Sequence, residues 1–102
     1  GVYDHVFTQG DNYSVILDFA FDLTGYTAKA QIRAFPESPV TIATFTCEIL
    51  STDNTQLKIS LSSTQTSSVP LRSYWDLQLT SGTDFIETFM TGQVFCRRQV
   101  TR

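Results

Sequence analysis

The chain has 102 residues, 41% of them hydrophobic and 13% aromatic, enough apolar material for one core and too much for a disordered segment. Its formal net charge is −3, from 7 Lys and Arg against 10 Asp and Glu scattered along the sequence. That balance excludes the clustered basic surface that nucleic acid or an anionic membrane requires, and no apolar run approaches the ~20 residues of a membrane-spanning helix.

Short extended segments separated by turn signals run from end to end, and the expected organisation is one domain over residues 1–102. The opening GVYDHVFTQGD lacks the basic and apolar regions of a signal peptide. Val2 to Thr8 reads as a strand, broken by Gln9-Gly10-Asp11-Asn12. Tyr13 to Phe21 follows, with Val15, Leu17, Phe19 and Phe21 on one face. Asp22-Leu23-Thr24-Gly25 is a turn in which Gly25 can supply a positive φ. Tyr26 to Ala34 alternates Tyr26, Ala28, Ala30, Ile32 and Ala34 with polar residues, and its small inner residues leave room for a bulky partner such as Trp75. Pro36-Glu37-Ser38-Pro39 is a loop, because two prolines remove ladder donors.

Ile42 to Leu50 presents Ala43, Phe45, Cys47 and Ile49 on one face. Ser51-Thr52-Asp53-Asn54 reads as a turn, and Thr55 to Ser62 points Leu57, Ile59 and Leu61 inward. Ser62 to Val69 has no period-2 apolar pattern, and Ser62 or Ser63 is placed to cap a single helical turn ending before Pro70. Trp75, Leu77 and Leu79 alternate with Asp76, Gln78 and Thr80, the signature of a strand with one buried face. Ser81-Gly82-Thr83-Asp84 reads as a tight turn, Phe85 to Met90 as the returning strand, Thr91-Gly92 as punctuation and Val94 to Val100 as a last extended segment. Seven or eight strands at intervals of about 8–12 residues predict an all-β sandwich or small barrel, and the lack of helical crossovers predicts antiparallel sheets.

Reactive chemistry is sparse. His5 is the only histidine, has no second ligand at metal spacing, and sits on an expected edge strand with no serine in an elbow motif. Asp18 with Asp22, or Asp84 with Glu87, are the nearest carboxylate pairs, and Asp22 and Asp84 fall in turns where Asp bonds its own backbone. Asp11-Asn12 and Asp53-Asn54 read as turns rather than calcium loops. Cys47 and Cys96 lack a CxxC spacing; Trp75 stands too far from Cys47 for the usual immunoglobulin disulfide pattern, and two buried free thiols are expected. The reading is therefore of no enzyme, no metal and no cofactor. Tyr3, Tyr13 and Tyr74 are the aromatics that the strand patterns do not place inside, which makes them the candidates for stacking on a sugar.

The order of the motifs carries one resemblance. Gly10-Asp11, Asp22-Leu23-Thr24-Gly25, Gln31-Ile32-Arg33, Leu57-Lys58-Ile59-Ser60-Leu61-Ser62, Tyr74-Trp75-Asp76-Leu77-Gln78-Leu79-Thr80, Gly92-Gln93-Val94 and Val100-Thr101-Arg102 follow one another as in small tailed-bacteriophage structural proteins. These include stand-alone virion proteins of this size and the similar N-terminal domain of baseplate upper proteins. The chain departs from that pattern where Trp75 intrudes between Tyr and Asp, and where Ser81-Gly82-Thr83 replaces Asp-Gly. The resemblance implies a single immunoglobulin-like antiparallel β-sandwich that catalyses nothing and is located in the virion after synthesis in the bacterial cytoplasm. It implies attachment in multiple copies to other virion proteins, as a homo-oligomer or a ring or shell assembly, in a tail, baseplate, neck or fibre-attachment role. Capsid decoration or head-fibre work, and a carbohydrate-binding module for host glycans, are the alternatives. Terminal strands are the expected contacts, through Val2, Tyr3, His5, Phe7, Phe95, Arg97, Arg98 and Arg102.

Overall fold

Alternation is realised most fully in the strand Arg72–Thr80, where Ser73, Trp75, Leu77 and Leu79 are buried and the residues between them are not. A computed structural model describes residues 1–50, 54–81 and 86–98. Its strands are β1 (His5–Thr8), β2 (Tyr13–Asp18), β3 (Thr27–Arg33), β4 (Ala43–Thr44), β5 (Thr46–Leu50), β6 (Gln56–Leu61), β7 (Arg72–Thr80) and β8 (Ile86–Arg97). They form a five-stranded sheet in the order β1-β8-β7-β3-β4 and a three-stranded sheet in the order β2-β6-β5. The inward residues of both sheets, among them Leu17, Ala30, Ile32, Leu57, Ile59, Leu77 and Val94, make one core, and the fold is an immunoglobulin-like all-β sandwich.

The expected turn chemistry is present. Thr24 N–H donates to Asp22 Oδ1 at 2.8 Å and Gly25 takes φ 88°, so the chain reverses before β3. Asn54 takes φ 56° just before β6, while Ser51 to Asp53 lie outside the described residues. The helical turn α1 (Ser63–Thr66) starts from a capping box: Gln65 N–H donates to Ser62 Oγ, and Ser62 N–H donates to Gln65 Oε1.

Four expectations are corrected. β1 runs parallel to β8, His5 opposite Val94 through Thr8 opposite Arg97. Parallel pairing needs a crossover, and here the whole domain between the two strands supplies it. Thr91-Gly92 does not interrupt β8; Gly92 sits in mid-strand opposite Trp75, where the lack of a side chain lets another segment approach. The irregularity in β8 lies instead at Phe89, skipped between the Leu77–Met90 and Gln78–Thr88 pairs. Ile42 to Leu50 is not one strand: Ala43–Thr44 pairs with β3, Thr46–Leu50 pairs with β6, and buried Phe45 is the corner at which the chain changes sheet. Finally, the residue opposite Trp75 that makes room for it is Gly92 of β8, and the alanines of β3 face Leu77 and Leu79. The turn expected at Ser81 to Asp84 and the segment from Gln99 to Arg102 fall largely outside the described residues.

Candidate docking face and groove

Pairing of β3, β7 and β8 in register gathers their outward side chains into one face. Arg33 lies opposite Tyr74, and Tyr74 opposite Gln93; Gln31 lies opposite Asp76, and Asp76 opposite Thr91. Arg33 Nη1 meets Asp76 Oδ1 at 3.2 Å, and Arg33 Nη2 donates to Gln31 Oε1 at 2.7 Å, so these two charges are paired across β3 and β7. Residues 1–4 form one wall. Gly1 and Tyr3 bond the β8 backbone at Phe89 and Thr91, and Gln93 N–H donates to Asp4 Oδ1 at 2.9 Å. Pro36, in the loop after β3, forms the opposite wall. Between them lies an open groove of about 390 Å³ over Tyr74, Asp76, Arg33 and Gln93. Gln93 Oε1 is buried there without a partner.

The groove is anchored from below. Trp75 Nε1 donates to the Tyr3 carbonyl at 2.6 Å, across Gly92. A Cβ on Gly92 would stand 1.9 Å from the Tyr3 carbonyl oxygen and 2.8 Å from the indole nitrogen, so only glycine admits this crossing. His5 is fully buried beside it, with ring centroids 4.3 Å from Trp75, 5.0 Å from Tyr3, 5.2 Å from Phe45 and 5.5 Å from Tyr13. Its Nδ1 shares a 2.6 Å hydrogen bond with the Tyr13 hydroxyl, and its Nε2 has no partner. Burial lowers the His5 pKa to about 4, against a smaller opposing pull from Asp4, and burial raises that of Tyr13. The imidazole is thus a neutral core group. Among the described residues no three His, Cys, Asp or Glu side chains gather as metal ligands. Cys47 and Cys96 are free thiols, both pushed up by burial.

The expected contact residues separate on this frame. Val2 is exposed beside the groove, Tyr3 is half-buried in its wall, and Arg97 and Arg98 are exposed at the end of β8. Phe95 is half-buried on the outer face, with the Arg72 guanidinium 5.7 Å above its ring. His5 and Phe7 point into the core, so β1 offers a neighbour its backbone edge and Val6 rather than those two side chains. Arg102 lies outside the described residues. Of the three tyrosines proposed for stacking, Tyr3 and Tyr13 pack against the core, and Tyr74 lies in the groove. Arg33, Asp76 and Gln93 belong to the motifs of the resemblance, but the sequence does not mark them as one site. The polar phase of β3 and β7 contains them, yet only the pairing of these strands makes them neighbours.

No protein-family model matches the chain, and no curated protein does. Among solved structures it is similar to CopC from Methylosinus trichosporium OB3b, with TM-score 0.55, 8% identity, and coverage of 96% of this chain and 88% of that one. It is similar to a chicken TCR structure, with TM-score 0.59 and 6% identity, where 96% of this chain spans about half, 54%, of the other. It is also similar to the second Ig domain of mouse polymeric immunoglobulin receptor, with TM-score 0.56, 9% identity and both chains covered in full. Identities this low speak for the fold alone, and that fold is the immunoglobulin-like sandwich.

Proposed function

We propose that this chain is a non-enzymatic structural protein of a tailed-bacteriophage virion, docking in multiple copies onto other virion proteins. The role is that of a tail, baseplate or neck adaptor or a fibre-attachment component, with capsid decoration or head-fibre work as the alternative position. The observation that supports it most is the run of motifs shared in order with such proteins, together with where those motifs fall. Asp22-Leu23-Thr24-Gly25 makes the turn into β3, Gln31-Ile32-Arg33 ends β3, Leu57 to Ser62 forms β6 and the helix cap, and Tyr74 to Thr80 forms β7. Docking would use the outer face of β8, β7 and β3 with Val2, Tyr74, Phe95, Arg97 and Arg98, where polar and aromatic groups lie side by side. Mass spectrometry of purified particles tests the reading: the chain is expected at a fixed stoichiometry, and its absence from intact particles removes the proposal.

The placement of Tyr74 in an open groove beside Arg33, Asp76 and Gln93 favours one second reading, a glycan-binding module. Because Trp75 also lines that groove, its fluorescence reports binding directly. A saturable change with host polysaccharide that is lost in Tyr74→Ala supports this reading, and a flat response across a glycan panel eliminates it.

A further inference from the structure

The two flanks of the sandwich are finished differently. On one, the chain itself crosses from β4 to β5, and Phe45 N–H donates to Ala30 O at 2.8 Å, carrying the β3–β4 ladder up to the corner. On the other flank, β1 and β2 are the outer strands of their respective sheets. β2 is the longest outer strand, six residues against four in β1, two in β4 and five in β5. It carries no proline and no lysine, its single charge is Asp18 at the last position, and its register is unbroken from Tyr13–Leu61 to Asp18–Gln56.

The polarity of this edge follows from one bond. Phe19 N–H donates to Thr55 O at 2.8 Å, continuing the β2–β6 ladder. Odd residues of β2 therefore turn their backbone groups toward β6, and Ser14, Ile16 and Asp18 turn theirs to the open side. The open side is also incompletely covered. Ile16 is 49% exposed, and Tyr13, Val15 and Phe19 remain half-buried although they lie in the inward phase.

We propose that the β2 edge pairs antiparallel with the β2 edge of a second copy of this chain, about a twofold axis through Ile16, joining two three-stranded sheets into one of six. The side chains select this register. With Ile16 opposite Ile16, Ser14 meets Asp18 and Val15 meets Leu17, while Tyr13 lies opposite Phe19. Each pair is apolar with apolar or hydroxyl with carboxylate. All three outward-facing residues then exchange both of their backbone bonds. Centring on Val15 sets Ser14 against Ile16 and Asn12 against Asp18; centring on Leu17 sets Ile16 against Asp18; centring on Asp18 opposes two carboxylates. The same patch on both subunits is what closed dimers use. This pairing is independent of the virion reading, since a dimer in solution forms or fails to form whatever particle the chain belongs to.

Sedimentation equilibrium from low to high micromolar protein, with amide hydrogen exchange across the same range, tests it. A monomer–dimer equilibrium is expected in which the amides of Ser14, Ile16 and Asp18 become protected as concentration rises. Those of Val15, Leu17 and Phe19, bonded to β6, should be protected throughout. Ile16→Lys opposes two ammonium groups on the axis and should weaken association by roughly tenfold, with an unchanged circular-dichroism spectrum because the site is half-exposed. A monomer at every concentration overturns the proposal, and so does a dimer in which those three amides exchange freely. Protection appearing only after a different virion protein is added assigns the edge to that protein and also overturns self-pairing.

Discussion

The core has two aromatic ends built on different principles. At one, His5, Tyr13 and Trp75 are tied by directional bonds: the indole N–H to the Tyr3 carbonyl, and the imidazole to the Tyr13 hydroxyl. At the other, Phe19, Phe21, Tyr26 and Phe89 meet edge-on or tilted at centroid distances of 5.3–5.8 Å, all half-buried, with ring contact as what joins them. The first end fixes where the N-terminal segment must lie, since its hydrogen bonds are satisfied in one geometry. The second end gains apolar area and tolerates small shifts, which suits the point where β8 carries its irregularity at Phe89.

Removing the indole should break this contrast most visibly. Trp75→Ala takes out a buried ring and leaves the Tyr3 carbonyl unpaired, so a loss of about 3–5 kcal/mol is expected in urea unfolding. Next comes pH. His5 has a folded pKa near 4, below its ordinary value of 6.5, so the unfolded chain binds the extra proton between those values. Stability is therefore full above about pH 6.5 and declines as pH falls toward 4, by about 3 kcal/mol at 1.36 kcal/mol per pKa unit. Unfolding free energies measured across that window should show the slope in the protein and lose it in His5→Gln. Gly92→Ala should cost about 1–3 kcal/mol, because its Cβ meets backbone rather than a movable side chain. The Trp75 emission maximum should shift with it if Tyr3 is pushed off the indole. The smallest effect belongs to the other end: Phe21→Ala, half-buried, should cost roughly 1–2 kcal/mol, about half the value for a fully buried ring, with the pH slope untouched.

The sequence is legible where the physics is local. Period-2 alternation placed Trp75, Leu77 and Leu79 inside, Asp22 and Gly25 specified their turn, and Ser62 with Gln65 specified the helical turn. What could not be read is adjacency. Alternation assigns a residue to a face and says nothing about which strand lies beside it. Thus Gly92 looked like punctuation, when its role is to let Tyr3 cross over Trp75, a contact spanning 72 residues of sequence. Phe45 likewise sits in phase with its neighbours on either side, and nothing local marks it as the corner between sheets. The groove was invisible for the same reason: Arg33 and Asp76 are ordinary polar-face residues until β3 and β7 are paired. In sequence His5 is a lone titratable group near a terminus, and its burial follows from β1 packing over Phe45 and Trp75, which no spacing rule announces.

The parallel run of β1 beside β8 has a mechanical consequence. Force applied to the molecule through Gly1 on one side and through the chain beyond Arg97 on the other pulls the two strands along their own length in opposite senses. The backbone bonds between His5–Thr8 and Val94–Arg97 would then share the load together, as a shear joint does, instead of parting one by one like a zip. A domain strung in line under tension is held by the strongest arrangement its ladder permits.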